Sequence, residues 1–295
     1  MRLGQFSATA AEAPWCGAIV DDGTVIDLPM AGEAAGIDVP RRLSSLLGRW
    51  NWAEKATMAV EYATETGTAR RALDDLNRHA PVTDPGKVVC VGLNYEDHAR
   101  ELDLDIPDEP VLFSKFPTAI TGPGEEIAWD PEYTSQVDYE AELVVVVGRE
   151  ARDVPVADGW EYVAGLTVGN DVTARDLQER DGQWIRGKSL DTFAPTGPDL
   201  VTPDEIDDPH DLDVWTELDG ERLQDSSTAN FVFGVDELVS FCSRAFTLRP
   251  GDLIFTGTPP GVGTSRDPPV YLDDGDRVTV GVEGIGELTN GCRYR

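Results

Sequence analysis

Basic residues, and lysines above all, are scarce in this chain of 295 residues. Asp and Glu number 55 against 24 Lys and Arg, which gives a formal net charge of −31 at pH 7. A field this negative repels nucleic acid phosphates and anionic membrane surfaces, so we expect neither as a partner. The acidic residues are spread along the whole chain rather than gathered in a tail, which favours a salt-adapted protein over an acidic binding module.

Long apolar runs and paired cysteines are also missing. The longest aliphatic run, Leu143–Val147, is far shorter than the ~20 residues of a membrane-spanning helix. The N-terminal stretch lacks the basic segment and long apolar segment of a secretory signal. The four cysteines are isolated, without a CxxC pair. We therefore expect reduced cysteines in a cytoplasmic protein and no Cys-rich metal site.

Turn-forming residues at Pro81–Gly86 mark the best candidate for a domain boundary. We expect a small N-terminal α/β domain over residues 1–80 and a larger, catalytic domain over residues 81–295. The larger segment contains many short strand-like stretches and few helices. This pattern predicts a β-rich α+β roll or sandwich rather than a repeated βαβ fold.

Local patterns predict individual elements on both sides of this boundary. A hairpin is expected around the turn Asp21-Asp22-Gly23, and a helical segment over residues 53–78. One clear helix is predicted between Asn230 and Arg249. The strands predicted beyond the boundary are 87–92, 143–148 (buried on both faces), 162–170, 212–218 (followed by a hairpin turn at Asp219-Gly220) and 278–282 (the last strand).

The segment Asp138–Glu142 carries two glutamates immediately before a buried strand. Side chains two residues apart in a strand point to the same face, so Glu140 and Glu142 would lie close together. Two carboxylates this close repel each other unless a proton or a cation separates them. The pattern indicates a cation site. The alternative is an exposed edge strand, because Glu-x-Glu occurs often by chance in so acidic a chain.

Asp171 follows directly on the strand predicted at 162–170 and could join these glutamates. Three carboxylates without histidine favour a hard divalent cation, Mg²⁺, Mn²⁺ or Ca²⁺, over Zn²⁺. If the next turn is helical, Arg175 and Gln178 share a face with Asp171, and Arg175 is suited to hold the carboxylate of a substrate. In the alternative interpretation Asp171 caps a helix and Arg175 is its ion-pair partner at the surface.

His98 is the leading candidate for a catalytic base among only three histidines. Glu101 lies three residues further on, one helical turn away, where its carboxylate would orient the imidazole and raise its basicity. Such a pair can activate a water molecule by taking its proton. The alternative is an ordinary pair of side chains on the surface of a helix.

The remaining candidate residues lie in two loops bounded by Gly and Pro. Lys188 lies in the first loop, Arg186–Gly197, and is one of only four lysines, which favours a specific role over a solvated charge. The second loop, Thr256–Gly263, lacks the lysine of a phosphate-binding loop, so a nucleotide site is not expected. Its backbone N–H groups and the Thr258 side chain are instead suited to bind a carboxylate.

Six segments between residues 88 and 263 can be compared with known families: VCVGLNYEDHARE, PVLFSKFPTAITGPGEEI, DYEAELVVVVG, GNDVTARDLQ, GKSLDTFAPTGP and LRPGDLIFTGTPPGVG. In this order and spacing they resemble the fumarylacetoacetate hydrolase family. The resemblance implies a mixed β-sandwich roll with a small N-terminal domain, usually assembled as a homodimer. It also implies a divalent metal ion, commonly Mg²⁺, held by Glu140, Glu142 and Asp171.

The same resemblance implies roles for the other candidates. His98 with Glu101 would activate a water molecule, and Lys188 would help to stabilise the enolate of pyruvate. The residues that would contact the substrate, a small 2-oxo acid, are Arg175, Gln178 and Thr258. The implied reaction is hydrolysis of a C–C bond in a 2,4-dioxo acid, an acylpyruvate or a diketo-deoxy sugar acid, to pyruvate and a carboxylic acid.

The chain departs from the family pattern at one point. In the branch that includes fumarylacetoacetase itself, a fourth carboxylate precedes the catalytic histidine, whereas Val91 and Leu93 occupy that stretch here. The chain therefore resembles the acylpyruvase-like branch, with three protein ligands. Two alternatives stay open: an isomerase, decarboxylase or dehydratase that uses the same enolate chemistry on a related 2-oxo acid, and a non-catalytic acidic cation-binding protein.

Overall fold

The computed structural model describes residues 1–20 and 23–295. The elements up to residue 80 are β1 (Arg2–Ser7), β2 (Trp15–Val20), β3 (Thr24–Asp27), α1 (Leu28–Ala35), α2 (Leu43–Leu47), α3 (Trp52–Thr66), β4 (Arg70–Ala72) and β5 (Asn77–His79).

The later elements are β6 (Val88–Gly92), α4 (Glu96–Glu101), β7 (Val111–Lys115), β8 (Ile120–Thr121), β9 (Glu126–Trp129), β10 (Val137–Asp138), β11 (Ala141–Val147), β12 (Val163–Asn170), β13 (Thr173–Ala174), α5 (Arg175–Asp181), α6 (Ile185–Lys188), β14 (Ala194–Val201), β15 (Asp213–Leu218), β16 (Glu221–Ser227), α7 (Val235–Ala245), β17 (Leu253–Phe255), β18 (Arg277–Val282) and β19 (Gly286–Tyr294).

Two mixed sheets dominate the architecture. The larger has 12 strands, in the order β4-β3-β2-β1-β14-β12-β11-β17-β6-β7, with β5 paired to β1 and β8 paired to β14. The smaller has five strands in the order β16-β15-β18-β19-β9, and β10 with β13 forms a separate two-stranded ladder. The expected strand-rich α+β class is therefore confirmed.

Strand β11 lies between the two main hydrophobic clusters of the protein. Leu143, Val145 and Val147 pack into the cluster formed with the smaller sheet and α7. Val144 and Val146 point to the opposite face and pack with residues of α1, α2 and α3. All five side chains are fully buried, which confirms the prediction of burial on both faces. This strand is consequently a rigid base for the residues at its N-terminal end.

Backbone hydrogen bonds cross the boundary predicted near residue 80. Strand β1 pairs antiparallel with β14, with Arg2 opposite Val201, so the N-terminal strands extend the larger sheet. Leu3 and Leu43 also share a hydrophobic cluster with Phe255 from the larger segment. The division into domains of residues 1–80 and 81–295 stays a prediction.

Most of the predicted elements are present, and two predictions are wrong. The helix expected over 53–78 ends at Thr66, because Gly67 adopts a left-handed conformation (φ +72°) and the chain continues into strands. The strand at 278–282 is not the last, since β19 follows it. Glycines at 286 and 291 conceal the β pattern of that last strand.

The N-terminal hairpin is confirmed in its strands. Strands β2 and β3 pair antiparallel, with Val20 opposite Thr24. Asp21 and Asp22 of the predicted turn lie outside the described residues.

Within the described part of the chain, no helix has the length and apolar character needed to cross a bilayer.

The four cysteines are all buried and unpaired. Burial raises the pKa of the Cys16, Cys242 and Cys292 thiols to about 12. Neutral, buried thiols are neither nucleophiles nor metal ligands. The chemistry of the protein is therefore expected from its oxygen and nitrogen side chains.

We expect the fold to depend on ionic strength. Between Asp103 and Glu109, for example, four carboxylates are solvent-exposed within seven residues, and their mutual repulsion is relieved only by counterions. The Debye length falls from about 10 Å at 0.1 M salt to about 3 Å at 1 M. The Tm in a KCl series should therefore rise steeply, with loss of structure below a few tenths molar. A matched sorbitol series is the control, and a Tm independent of KCl would contradict salt adaptation.

Candidate active site

Three carboxylates meet where β11 begins and β12 ends. The two strands pair antiparallel, with Ala141 opposite Asn170, so Glu140 and Glu142 lie beside Asp171. The Asp171 N–H donates to the carbonyl of Glu140 at 2.9 Å. All three side chains are buried, and one oxygen from each lies within 4.8 Å of the others. Their burial contradicts the alternative of an exposed edge strand.

Glu142 is the carboxylate that most requires a cation. Its Oε2 accepts a hydrogen bond from the Gly257 N–H at 2.8 Å, and among the described residues no basic side chain forms an ion pair with it. Burial, together with the charges of Asp171 and Glu140, raises the pKa of Glu142 well above its ordinary value. Either a proton or a metal ion must compensate its charge. An all-oxygen ligand set suits Mg²⁺ or Mn²⁺, so the residues fit a divalent metal.

Glu140 has two cationic partners instead. Arg175 Nη2 lies 2.7 Å from its Oε1, and Lys188 Nζ donates to its Oε2 at 2.9 Å. Burial by itself would raise the pKa of Glu140, but the charges of Lys188 and Arg175 outweigh it and lower the pKa to about 2. Two carboxylates on the same strand edge therefore differ in charge compensation: Glu140 is paired by protein cations and Glu142 is left for an external one.

Lys188 joins two of the three carboxylates. Besides Glu140, its Nζ donates to Asp171 Oδ2 at 2.8 Å. Burial disfavours the charged lysine, but Asp171 and Glu140 raise its pKa above the ordinary value, so the ammonium stays protonated. Lys188 is therefore a buried, paired lysine rather than a solvated charge. Its catalytic role stays a prediction.

Arg175 and Gln178 lie one turn apart on α5, with Arg175 Nη1 donating to Gln178 Oε1 at 3.2 Å. Asp171 does not share their helix, because α5 begins at Arg175. Residues 173–174 pair with β10 instead, which keeps this stretch extended. The alternative in which Asp171 caps the helix is also wrong: Ala174 occupies the N-cap position, and Arg175 is buried.

His98 and Glu101 form the predicted pair on α4. His98 Nδ1 lies 2.9 Å from Glu101 Oε2. Glu101 is exposed, but His98 is only 8 % exposed, so the imidazole is not an ordinary surface side chain. When Nδ1 carries the proton and donates a hydrogen bond to Glu101, Nε2 is unprotonated and can accept a proton from another molecule. Glu101 is anchored in turn, because its Oε1 accepts a hydrogen bond from the Gly261 N–H at 2.9 Å.

The sequence suggested that the loop Thr256–Gly263 offers its N–H groups to a ligand. In the structure, three of these N–H groups instead bind carboxylates of the protein. The N–H groups of residues 257, 261 and 263 donate to Glu142, Glu101 and Asp138 at 2.8, 2.9 and 2.7 Å. Gly261 has φ +99°, and a Cβ there would lie 2.3 Å from the carbonyl oxygen of Leu223. Only glycine fits this position.

A cavity of about 200 Å³ brings most of the candidates together. Its polar side chains are His98, Glu140, Arg175, Gln178, Lys188 and Thr258. Its apolar side chains include Val91, Leu93, Leu102, Leu104, Phe113 and Trp184. Thr258 Oγ1 accepts a hydrogen bond from Gln224 Nε2 at 2.8 Å. The cavity has room for a small organic acid beside the carboxylate cluster.

Sequence reasoning missed two buried residues of the site. Lys115 Nζ lies 2.6 Å from Asp171 Oδ1 and donates to three backbone carbonyls, of Val172, Lys188 and Phe193. The scarcity of lysine, which drew attention to Lys188, would have found it too. Asp138 pairs with Arg175 at 2.8 Å. It opens the segment that carries Glu140 and Glu142, but the sequence does not indicate that it meets a residue 37 positions away.

Comparisons with known proteins agree with this geometry. The family model for the fumarylacetoacetate (FAA) hydrolase C-terminal domain matches residues 87–293. A mitochondrial oxaloacetate tautomerase of Bos taurus is 43 % identical over 293 residues, which cover 98 % of this chain and 91 % of the relative.

Two solved structures are similar over their full length. The fumarylacetoacetate hydrolase of psychrophilic Exiguobacterium antarcticum matches with a TM-score of 0.86 and 38 % identity, covering 100 % of both chains. A maleylpyruvate hydrolase from Sphingobium sp. SYK-6, in complex with manganese(II) and pyruvate, matches with a TM-score of 0.80 and 27 % identity over 100 % of this chain and 99 % of that one. With its carboxylate cluster, its strand-rich fold and these matches, this chain belongs to the fumarylacetoacetate hydrolase family.

Proposed function

We propose that this protein is a divalent-metal-dependent tautomerase that interconverts the enol and keto forms of a small 2-oxo acid, with oxaloacetate as the first substrate to test. The observation that carries the proposal is the buried cluster of Glu140, Glu142 and Asp171, whose member Glu140 lines the same small cavity as His98. The printed activity of the bovine relative supports the choice of substrate.

Most polar side chains of the site have a part in this reaction. A Mg²⁺ or Mn²⁺ ion held by the three carboxylates would act as a Lewis acid toward the substrate carbonyl. His98 Nε2 takes a proton from C3, the electron pair of that C–H bond forms the C2–C3 double bond, and negative charge collects on the C2 oxygen. Return of the proton from the imidazolium to that oxygen completes the enol, and the reverse steps regenerate the keto form. The Lys188 ammonium stabilises that charge. Arg175, with Gln178 beside it, binds the carboxylate.

Hydrolysis of a 2,4-dioxo acid is the second candidate, and the His98–Glu101 pair favours it specifically. Tautomerisation requires only that a proton be moved, whereas an imidazole held by a carboxylate is suited to activate water. In the hydrolytic reaction His98 deprotonates a water molecule that attacks the C4 carbonyl. The C3–C4 bond then breaks, and its electron pair forms the enolate of pyruvate.

A substrate panel separates these candidates. The protein, in molar KCl with Mg²⁺ or Mn²⁺, is given enol-oxaloacetate, and the decay of enol absorbance is followed; pyruvate release is followed with acylpyruvates. We expect accelerated enol decay that is lost on EDTA treatment and restored by either metal. Pyruvate release without enol decay would favour the hydrolase. Metal binding with neither reaction would favour the cation-binding protein.

We further propose a cytoplasmic homodimer, as the family resemblance implies. Light scattering of the purified protein across the KCl series tests the assembly. A monomer at every KCl concentration would contradict it.

A further inference from the structure

We propose that Asp138 is a positioning residue that holds Arg175 in the orientation that binds the substrate carboxylate. This inference rests on the proposed function only in taking the carboxylate of a 2-oxo acid as the group that Arg175 binds. Asp138 is not in the carboxylate cluster, and no reaction step requires it to touch the substrate. Its contribution would come entirely through the guanidinium of Arg175.

Every hydrogen-bonding position of the Asp138 carboxylate is used by a structural partner. Its Oδ1 accepts from the backbone N–H of Tyr139 at 2.8 Å and of Gly263 at 2.7 Å. Its Oδ2 accepts from the Thr264 N–H at 3.0 Å and from Arg175 Nε at 2.8 Å. The side chain has no solvent exposure. Three backbone donors therefore fix the carboxylate before it meets the guanidinium.

The contacts of Arg175 explain why a fixed anchor matters. A guanidinium is planar, with five N–H donors, so two anchored nitrogens define its plane. Nε is anchored by a hydrogen bond to Asp138, whereas Nη2 lies 2.7 Å from Glu140 Oε1 as an ion pair without hydrogen-bond geometry. Nη1 donates to Gln178 and has a second N–H. Because Arg175 and Gln178 both line the cavity, this edge is the one that a ligand can reach.

Asp138 is the more permanent of the two anchors. Glu140 belongs to the cluster that fits a metal ion, and its charge would be shared with that ion. Among the described residues, Asp138 forms an ion pair with Arg175 alone. The backbone of the loop also packs tightly against Asp138. A Cβ on Gly263 would lie 2.6 Å from Asp138 Oδ1 and 1.8 Å from the carbonyl oxygen of Val270.

Asp138→Asn tests this role, with Asp252→Asn as a matched control. The amide lacks the second acceptor oxygen that Arg175 and Thr264 share. Asp252 is a fully buried aspartate outside the cavity that likewise accepts from two backbone N–H groups, of residues 87 and 249, and pairs with Lys87 at 2.5 Å. Both variants lose the same kind of buried contact, so both should lower the Tm.

The distinguishing readout is the binding of oxalate, a planar dicarboxylate that resembles the head of a 2-oxo acid. By calorimetry in the presence of Mn²⁺, Asp138→Asn should weaken oxalate binding about 10- to 100-fold, the cost of a lost charged hydrogen bond. KM should rise with a smaller change in kcat, and Mn²⁺ affinity should stay within about threefold. Asp252→Asn should leave oxalate affinity and KM unchanged.

A double variant ties the effect to Arg175. Arg175→Lys should weaken oxalate binding by itself, and adding Asp138→Asn should weaken it no further, since the anchored group is already gone. Additive losses would overturn the proposal, as would wild-type oxalate affinity in Asp138→Asn. If the Asn variant does not fold, Asp138→Glu keeps the charge but displaces the carboxylate, and unchanged oxalate affinity there overturns it equally. Oxalate binding does not depend on turnover, so failure of the tautomerase assay leaves this test intact.

Discussion

Glu142→Gln is expected to abolish turnover and to weaken the binding of Mg²⁺ or Mn²⁺ by about 100-fold or more, while the protein stays folded in high salt. The amide is similar in size but carries no charge, and Glu142 is the cluster member without a cationic partner among the described residues. Hard divalent cations depend on carboxylate charge for their affinity. Calorimetry with Mn²⁺ gives the affinity, and the substrate panel gives the turnover.

A control keeps this result specific. Glu125 lies outside the site, is solvent-exposed and accepts hydrogen bonds from Thr121 and the Gly122 N–H, so Glu125→Gln makes the same change of a hydrogen-bonded carboxylate to an amide away from the cluster. It should retain metal affinity and turnover. Full activity of Glu142→Gln, or full activity after exhaustive EDTA treatment, would show that the metal site is wrong.

In the absence of metal, the Glu142→Gln change should stabilise the protein rather than impair it. The pKa of Glu142 is raised in the folded state by burial and the neighbouring carboxylates, so the folded state binds its proton more tightly than the unfolded state does. The resulting stability is present at low pH and is lost as the pH rises above the ordinary pKa of glutamate. In EDTA, Glu142→Gln should therefore have a higher Tm than the wild type, and the difference should grow with pH. Added Mn²⁺ should reverse the order.

His98→Ala is expected to reduce kcat by roughly 10²–10⁴, the usual cost of losing a general base. The change removes the imidazole that lines the cavity but none of the three carboxylates, so Mn²⁺ affinity should be nearly unchanged. Glu101→Gln should act in the same direction but less severely, because it disturbs only the orientation and tautomer of His98. Single-turnover measurements with both substrate types give these values.

The two variants also decide between the candidate reactions. His79→Ala is the control: this histidine contacts Ser7 Oγ at 2.9 Å, outside the cavity, and its loss should leave kcat unchanged. Loss of pyruvate release with enol decay retained would confine the His98–Glu101 pair to water activation. Wild-type rates in both assays would show that His98 is not the base.

Local sequence patterns were sufficient for the parts of this protein that depend on neighbouring residues. The spacing of His98 and Glu101 sets their contact because both lie on one helical turn. Glu140 and Glu142 share a face because they lie two apart at the start of a strand. The aliphatic run at 143–147 required burial on both faces whatever surrounds it.

Long-range contacts decided the rest. Asp138 meets Arg175 and Gly263, 37 and 125 residues away. The loop at 256–263 turned its N–H groups to three protein carboxylates from two distant segments. Strand β1 joined the larger sheet through β14 rather than forming a sheet of its own. Hydropathy and residue spacing describe which faces are buried but not which segments meet there. Partner choice follows from strand order and from the need of each buried charge for a counter-charge or donor, and both exist only once the chain has folded.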